Sequence, residues 1–223
     1  MKMEKEKLRK DYFIDPSFMI YQDPAHFCFN TDTRLLAQFM TIRKNETVID
    51  IGTNNGVLMV YAAKAFPLKK IIGVEVLEPS SRIARLNAEK FIDKEWEVIN
   101  LPIQDVSMDP VDVILSNPPF FEVSEMHPNT KLDMRAYGRF EINCTLNDLV
   151  SHASRLLRSN GRFYFVHRPD RLSDIIQCLK EYRFSIKNLQ IAYDHRNNEA
   201  KSVLIEAIKE GNTKMKVGPC IWI

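Results

Sequence analysis

The sequence predicts an α/β fold whose open, mostly parallel sheet carries helices on both faces. Short, largely apolar segments such as 48–51 and 111–115 alternate along the chain with longer segments of helical periodicity. Apolar strands of this kind are typical of parallel sheets that are covered on both faces. Polar residues follow several of these strands directly, and ligands of such sheets bind at the carboxyl ends of the strands. We therefore expect the functional site at that edge.

The composition is that of one globular domain spanning residues 1–223. The 223 residues are 45% hydrophobic and 27% charged, which is enough apolar material for a full core. No stretch reaches the roughly 18 apolar residues of a membrane span, and residues 1–10 lack the apolar segment of a secretory signal. The four cysteines are far apart, which argues against a zinc site or a disulfide framework. We expect a cytoplasmic protein without a metal; its oligomeric state stays open, with a monomer favoured.

Basic residues concentrate in two places, although the formal net charge is only +2. One is the segment 1–12, which we expect to be loose. The other is a group of arginines around a strand in the second half of the chain: Arg158, Arg162, Arg168 and Arg171. A net charge this small neither requires nor excludes a nucleic-acid partner, and each cluster is explained equally well as solvated surface.

Helices are predicted where apolar residues recur at helical spacing: 33–42, 56–66, 79–92, 145–157 and 169–182. Thr31 or Asp32 suits the N-cap of the first helix, and Thr145 suits that of the fourth. Pro79 suits the first turn of the third helix, because its missing N–H costs little there. The pair Asn-Gly at 160–161 is a typical signal for the end of the fourth helix.

Strands are predicted at the apolar segments between the helices: 47–52, 71–76, 96–100, 111–116, 162–167, 184–191 and 201–208. The last two are joined by the polar loop 193–200 and form a closing hairpin. Residues 121–141 show no convincing periodicity and carry many charged side chains. A polar loop of this length is typical of a lid or a substrate loop, so we assign that role to it.

The turn Asn117-Pro118-Pro119-Phe120 follows the strand 111–116 directly. The two prolines fix φ and remove two N–H donors, so the turn presents mainly hydrogen-bond acceptors. The Phe120 ring is able to lie against a flat ligand. We therefore predict that these four residues are catalytic and bind a planar amine, either an aromatic NH2 group or a carboxamide. The alternative for Phe120 is a plain core position.

A second turn, Gly52-Thr53-Asn54-Asn55-Gly56, lies between the strand that carries Asp50 and the next helix. Glu75 ends the following strand, where a carboxylate suits a ribose diol. The spacing Gly-x-x-x-Gly differs from the Gly-x-Gly-x-x-Gly pattern of dinucleotide sites, so a dinucleotide is the weaker interpretation.

The two turns together resemble class I S-adenosylmethionine-dependent methyltransferases that methylate amino groups. The chain resembles the bacterial tRNA(Val) adenine methyltransferase family more closely, and this resemblance runs from about residue 10 to 210. Four segments carry it: 29–32, 117–121, 161–169 and 199–207. The resemblance implies a Rossmann-like fold with a seven-stranded, mostly parallel sheet of order 3-2-1-4-5-7-6 and an antiparallel last strand. It also implies S-adenosylmethionine as cofactor and tRNA as substrate, with methylation of the adenosine just 3′ of the anticodon.

The resemblance assigns roles to individual residues. Cofactor binding falls to Asp32, Asp50, Gly52, Thr53, Asn54, Gly56, Glu75, Asp105 and Asn117. Within this set Glu75 takes the ribose, Asp105 the adenine and Asp32 the methionine end. Helix capping explains Asp32 equally well, and a plain turn acid is the alternative for Asp105. Substrate binding falls to Phe120, Phe121 and Arg168, the last as a phosphate contact.

One position departs from the family pattern, which commonly has glycine where this chain has Asn54. Asn is the non-glycine residue best able to adopt a positive φ, so we expect the turn to survive.

Three other functions stay open. The first is adenine methylation of ribosomal RNA or DNA, and the second is glutamine methylation of a protein such as a release factor. Enzymes of the second kind usually carry a helical substrate domain first, whereas only about 45 residues precede the first core strand here. The third, an RNA-binding module without activity, is disfavoured because the cofactor acids and the amine turn are all present.

Overall fold

A nine-stranded sheet forms the centre of the computed structural model, which describes residues 8–212 and 214–223. The expectation for residues 1–7 lies outside the described residues. The strands are β1 Arg9–Tyr12, β2 Met19–Gln22, β3 Thr47–Ile51, β4 Lys70–Val74, β5 Glu95–Ile99, β6 Val111–Ser116, β7 Leu157–His167, β8 Phe184–Tyr193, β9 Ala200–Lys209, β10 Lys216–Val217 and β11 Ile221–Trp222. The helices are α1 Thr31–Phe39, α2 Val57–Ala65, α3 Glu78–Phe91, α4 Met134–Tyr137, α5 Leu146–Leu156 and α6 Leu172–Glu181.

The order of the main strands confirms the prediction. It runs β5-β4-β3-β6-β7-β9-β8, which is 3-2-1-4-5-7-6 when the core strands are numbered along the chain. The strands β3 to β7 are parallel, and β9 is antiparallel to both of its neighbours. The predicted count of seven was too low, because β10 and β11 also pair with β8. β1 and β2 form a separate antiparallel hairpin.

Two cores lie on opposite faces of the sheet. Successive side chains of a strand point to opposite faces, so Val48 enters one core and Ile49 the other. The first core packs under α1, α2 and α3, and the second under α5 and α6. Both faces of the central strands are therefore buried, as their continuous apolar character predicted. No helix in the described ranges is long and apolar enough to cross a bilayer.

The N-cap of α1 is Asn30, whereas the sequence favoured Thr31 or Asp32. The Asn30 backbone is extended at φ −130, and its side chain accepts the Thr33 N–H at 3.0 Å. The Thr33 hydroxyl accepts the Asn30 N–H in return, which completes a capping box.

Two further expectations were wrong, and in both cases the reason is that the segment pairs with a strand. The pair at 160–161 does not end a helix, because α5 stops at Leu156 and Leu157 already pairs with Val111 of β6. Residues 9–12, expected to be loose, form β1, which Gln22 holds through a 2.7 Å hydrogen bond to Asp11. The loop 121–141 contains a 3-10 turn, Val123–Glu125, and the short helix α4.

Candidate active site

Two cavities open at the carboxyl ends of the central strands, and Asn117 lines both of them. The first, which we call the acid-lined cavity, is bordered by the predicted cofactor residues Asp50, Gly52, Thr53, Asn54, Glu75 and Asn117. The second, which we call the aromatic cavity, is bordered by Asp32, Asn117, Pro118, Phe120, Phe121, Arg139, Arg168 and Ser202. Pro119 lines the acid-lined cavity.

Asp50 is a buried carboxylate in the wall of the acid-lined cavity. Its Oδ2 atom accepts a 2.6 Å hydrogen bond from the Thr53 hydroxyl, while Oδ1 has no partner among the described residues. Burial raises the pKa of Asp50 to about 7; the Thr53 hydrogen bond lowers it, and the nearby Glu75 carboxylate adds to the rise. A buried acceptor without a partner is costly, so this wall suits a ligand that brings a donor or a positive charge.

Glu75 also faces this cavity and is 7% exposed. Burial raises its pKa, although the backbone N–H groups of Leu77 and Asn54 each donate to the carboxylate at 2.9 Å. The Val76 N–H also acts on this carboxylate and lowers its pKa, so only part of its capacity for about four hydrogen bonds remains. The geometry therefore leaves room for the hydroxyl groups of a ribose.

The turn between β3 and α2 has the backbone that the sequence predicted for it. Gly52, Asn54 and Gly56 all have positive φ, at 70, 52 and 79 degrees. A Cβ on Gly52 would meet nothing within 4 Å, so the turn leaves open space there. The Asn54 side chain donates to the Phe27 carbonyl at 2.6 Å and so ties the turn to the segment before α1.

Asp105 and Asp32 lie apart from the acid-lined cavity. Asp105 sits on the exposed 3-10 turn Ile103–Asp105 and is not among the residues that line the described cavities. Asp32 is half-buried in the wall of the aromatic cavity, where it accepts hydrogen bonds from Ser202 and Asn30. Burial raises the pKa of Asp32, and both hydrogen bonds oppose that rise.

The Asn-Pro-Pro-Phe turn follows β6 as predicted, with Asn117 at the point where the two cavities meet. The Asn117 Nδ2 atom donates to the Thr33 hydroxyl at 2.9 Å. Its Oδ1 atom therefore points away from Thr33 and is available to a ligand. The Phe120 ring packs against the buried His167 ring, with centroids 5.1 Å apart. Burial lowers the pKa of His167 to about 4, so this platform is uncharged near neutral pH.

Phe121 carries two guanidinium groups on its ring. Arg168 lies 4.6 Å from the ring centroid and Arg139 lies 5.6 Å from it. Arg168 is held by Asp170 and, at 2.8 Å, by Glu125. Arg139 is exposed and has no ion pair in the described part of the chain. Of these two arginines, Arg139 is therefore the one without an ion pair in the described part of the chain, whereas Arg168, the predicted phosphate contact, is paired with two carboxylates.

The loop 121–141 is closed at its base and lines both cavities. The N–H groups of Phe120 and Phe121 donate to the Arg139 carbonyl, and the Glu141 N–H donates to the Phe121 carbonyl at 2.8 Å. Tyr137 of α4 lines the acid-lined cavity, and Gly138 lines both. The free volume of the acid-lined cavity is about 120 Å³, below the roughly 300–1,000 Å³ of typical small-molecule sites. A cofactor would therefore have to displace part of this cover.

The sequence did not point to Thr33, Ser202 or Phe27 as site residues. Thr33 and Ser202 lie in regular elements, α1 and β9, where only long-range hydrogen bonds distinguish them from ordinary positions. Asn55 was likewise predicted only as part of the turn. Asn55 is buried and donates to Gln22 at 2.8 Å, which links the turn to the β1-β2 hairpin.

Comparison with known proteins assigns the family. Residues 18–182 match the family model of the methyltransferase small domain. The chain belongs to this family. It resembles the tRNA1(Val) (adenine(37)-N6)-methyltransferase of Porphyromonas gingivalis, with 28% identity over 165 residues, 71% of this chain and 64% of that protein. The chain thus spans less than two thirds of that relative's length.

A protein of the same name from Aeromonas hydrophila is 27% identical over 219 residues, which is 96% of this methyltransferase and 89% of the relative. A predicted O-methyltransferase from Agrobacterium tumefaciens shares the fold, with a TM-score of 0.66 at 18% identity over 86% of this chain and 87% of that one. Family and fold confirm the predicted class I methyltransferase architecture and S-adenosylmethionine as the cofactor. The unpartnered Asp50 oxygen and the open space at Gly52 fit that group in the acid-lined cavity.

Proposed function

We propose that the protein methylates the exocyclic amino group of an adenosine in tRNA, and that the target is the adenosine just 3′ of the anticodon of tRNA(Val). The observation that carries the proposal is the position of Asn117 between the two cavities. Its amide nitrogen is bound to Thr33, and its oxygen has no hydrogen-bond partner among the residues that the structure describes. The names of the two tRNA methyltransferase relatives support the substrate.

In this proposal the acid-lined cavity holds the cofactor. Asp50 with its unpartnered oxygen faces the cationic end, Glu75 takes the ribose, and the turn 52–56 lies along the cofactor. When bound, S-adenosylmethionine supplies a methyl group attached to a positively charged sulfur. The amine nitrogen bonds to the methyl carbon, and the sulfur is the leaving group. Asp105 is exposed and does not line this cavity, so it would contact the adenine only where the cofactor extends beyond the cavity.

Asn117 and Pro118 activate the target amine. The lone pair of an adenine amino group is delocalised into the ring, which makes the nitrogen a poor nucleophile. Asn117 Oδ1 and the Pro118 carbonyl accept its two N–H bonds, so the nitrogen becomes pyramidal and its lone pair is directed toward the acid-lined cavity. The same acceptors stabilise the positive charge that develops on the nitrogen. Because the proton leaves after transfer, a neutral Asn suffices and no strong base is required.

The aromatic cavity holds the target nucleotide. Its free volume of about 530 Å³ lies within the usual range for a small organic ligand. Phe120, fixed by the neutral His167 ring, offers a stacking face for an unstacked base, and nucleotides of RNA loops meet this condition without melting a duplex. The exposed Arg139 beside Phe121 is the proposed phosphate contact, since two carboxylates already bind Arg168.

The loop 121–141 acts as the lid in this proposal. It lines both cavities, and two arginines that follow β7 in the sequence hold it at the Phe121 end and at the Glu141 end. Arg168 pairs with Glu125, and Arg171 pairs with Glu122 and Glu141. A cover fixed at both ends can open locally to admit the cofactor and then close over the reacting groups.

The decisive experiment is transfer of a labelled methyl group from S-adenosylmethionine to unmodified tRNA(Val). Total tRNA, ribosomal RNA, DNA and release factor are assayed in parallel, and labelled products are digested to nucleosides or amino acids. We expect labelled 6-methyladenosine in the anticodon loop of tRNA(Val). Label in ribosomal RNA, in DNA or in glutamine would replace the proposed substrate with one of the alternatives. Absence of label in every substrate would contradict the proposed activity.

A further inference from the structure

We propose that Thr33 is a positioning residue that holds the Asn117 amide with its oxygen, and not its nitrogen, toward the substrate. The inference rests on the proposed amine methylation and deepens it. An asparagine side chain is nearly symmetric in shape, so either end can face a ligand unless its neighbours decide. Here a chain of hydrogen bonds decides, and it runs from Ser202 through Asp32, Asn30 and Thr33 to Asn117.

The chain begins at the Asp32 carboxylate, which accepts hydrogen bonds on both oxygens. The Ser202 hydroxyl donates to Oδ1, and the Asn30 Nδ2 atom donates to Oδ2 at 2.9 Å. The Thr33 backbone N–H donates to the Asn30 Oδ1 atom at 3.0 Å on the other side of the same amide. Asp32 and this N–H together fix which end of the Asn30 side chain faces the Thr33 hydroxyl.

Thr33 in turn fixes the orientation of the Asn117 side-chain amide. Its hydroxyl donates to the Asn30 Oδ1 atom at 3.0 Å and accepts the Asn30 backbone N–H at 3.3 Å. A hydroxyl has one donor and two acceptor sites. Its only remaining site is an acceptor, and the Asn117 Nδ2 atom fills it at 2.9 Å.

A reversed Asn117 side chain would be penalised on both sides. Its oxygen would face the Thr33 oxygen, and the Thr33 hydroxyl could donate to it only by giving up its hydrogen bond to Asn30 Oδ1. Its NH2 group would face the NH2 group of the substrate. Each mismatch leaves polar groups without a partner in a half-buried place. The hydrogen-bond chain therefore selects the single orientation that binds and activates an amine.

Helix capping alone does not account for this arrangement. The reciprocal bonds of Asn30 and Thr33 complete the capping box of α1, and they need neither Asp32 nor Ser202. Ser202 belongs to β9, far from α1 in sequence, and is 1% exposed. Asn117 follows β6. Hydrogen bonds from two other segments thus converge on the first turn of α1 at the junction of the two cavities.

The test compares Thr33→Val, which keeps the shape but removes the hydroxyl, with Thr33→Ser, which keeps the hydroxyl. Thr41→Val, at an exposed position just after α1, is the matched control. Each variant is assayed with the substrate that the unmodified enzyme methylates, and cofactor affinity is measured by calorimetry with S-adenosylhomocysteine. We expect Thr33→Val to lower kcat about 10–100-fold, with cofactor affinity and the KM for RNA changed less than about threefold. Thr33→Ser is expected to restore most of the kcat.

Ser202→Ala tests the far end of the chain, which has no part in capping. We expect a smaller fall in kcat, about threefold to tenfold, with an unchanged KM. Unchanged kcat in both Thr33→Val and Ser202→Ala would overturn the proposal. Equal losses in the two Thr33 variants, or a fall in cofactor affinity as large as that in kcat, would also overturn it.

A readout that does not depend on activity separates this proposal from the proposed function. The side-chain amide signals of Asn117 are assigned in nitrogen-15 spectra by their loss in Asn117→Ala. We expect slow exchange with solvent for these protons in the parent protein and in Thr33→Ser, and faster exchange in Thr33→Val. The same exchange rate in all three would contradict the Thr33 contact even if RNA methylation were confirmed. A difference would support the contact even if the substrate proved to be another amine.

Discussion

Gly138 lies so close to Phe27 that a Cβ on residue 138 would come within 2.6 Å of the Phe27 Cβ atom. The Gly138 backbone has an ordinary φ of −81, so this glycine is required for space and not for conformation. Both residues line both cavities, and Gly138 ends the short helix of the loop 121–141. The contact thus sets how closely the loop approaches the segment before α1.

Gly138→Ala is expected to weaken cofactor binding by about tenfold, because the added methyl group forces the loop and Phe27 apart. Calorimetry with S-adenosylhomocysteine measures the effect. The matched control is Gly218→Ala, where a Cβ would meet the Gln190 side chain at an ordinary 3.4 Å. Equal affinities for Gly138→Ala and the parent protein would show that the loop yields without consequence for the site.

Asp50 makes the stability of the cofactor-free protein depend on pH. Its folded-state pKa is about 7, against an ordinary value of 3.8. Between these values the unfolded chain has released a proton that the folded protein keeps, so the free energy of unfolding falls as pH rises. His167, whose pKa is lowered to about 4, acts in the opposite direction between pH 4 and 6.5, and it does so equally with and without an Asp50 substitution.

Asp50→Asn removes the cost of a buried charge, and we expect its Tm to exceed that of the parent increasingly as pH rises from 5 to 8. The pKa difference sets an upper limit of about 4 kcal/mol, and each 1 kcal/mol corresponds to about 2–4 °C for a protein of this size. Thermal melts at several pH values measure the difference, with the exposed Asp93→Asn as control. A Tm difference that stays constant with pH would contradict the assigned protonation.

Asn54 stands at a positive φ of 52, and its side chain bonds to the Phe27 carbonyl. Asn54→Gly loses this bond but no longer strains a side chain, whereas Asn54→Ala loses the bond and keeps the strain. We expect the alanine variant to be less stable than the glycine variant by roughly 1 kcal/mol. Urea unfolding of both variants checks the order, and an alanine variant as stable as the glycine variant would refute the strain.

Asn117→Ala is expected to abolish methyl transfer while cofactor affinity stays within about tenfold of the parent value. The reason is that Asn117 supplies an acceptor to the amine in the proposed function, whereas the other residues that line the acid-lined cavity stay in place. Single-turnover transfer and calorimetry separate the two quantities. Equal losses in both would assign Asn117 to cofactor binding alone.

Residue types and short sequence patterns predicted the parts of the fold that depend only on neighbouring residues. β6 begins and ends where the sequence placed it, because an apolar run is stopped by Asn-Pro-Pro. Asn54 adopts the positive φ that its residue type favours. In contrast, Asn160 also has a positive φ, but pairing of Leu157 with β6 draws the segment into a bulged strand instead of a helix end. No local signal distinguishes these two outcomes.

The positions of the candidate site residues were predictable where a residue stands at the end of a strand. They were not predictable where hydrogen-bond or ion-pair partners from distant segments determine what a side chain can do. Asp50, Glu75 and Asn117 end strands, and the parallel sheet brings them together. Arg168 pairs with the neighbouring Asp170 and also with Glu125, far away in the sequence, so the pattern around Arg168 could not show this second carboxylate. The hydrogen bond between Thr33 and Asn117 was not predictable for the same reason, since the two residues are far apart in the sequence.

Under the proposed function we expect Arg139 and Arg168 to contribute differently to RNA binding, and salt dependence distinguishes them. Arg139→Met removes a free cation, so we expect weaker RNA binding and a salt slope reduced by about one. Arg168→Met removes a cation held by Asp170 and Glu125, and we expect little change in the slope. Filter binding of the anticodon stem-loop between about 50 and 200 mM salt gives both slopes. Arg183→Met, whose guanidinium pairs with Glu210 at the opposite end of β8, is the matched control. If Arg168→Met lowered the slope and Arg139→Met did not, the phosphate contact would pass back to Arg168, and its carboxylate partners would have to release it when RNA binds.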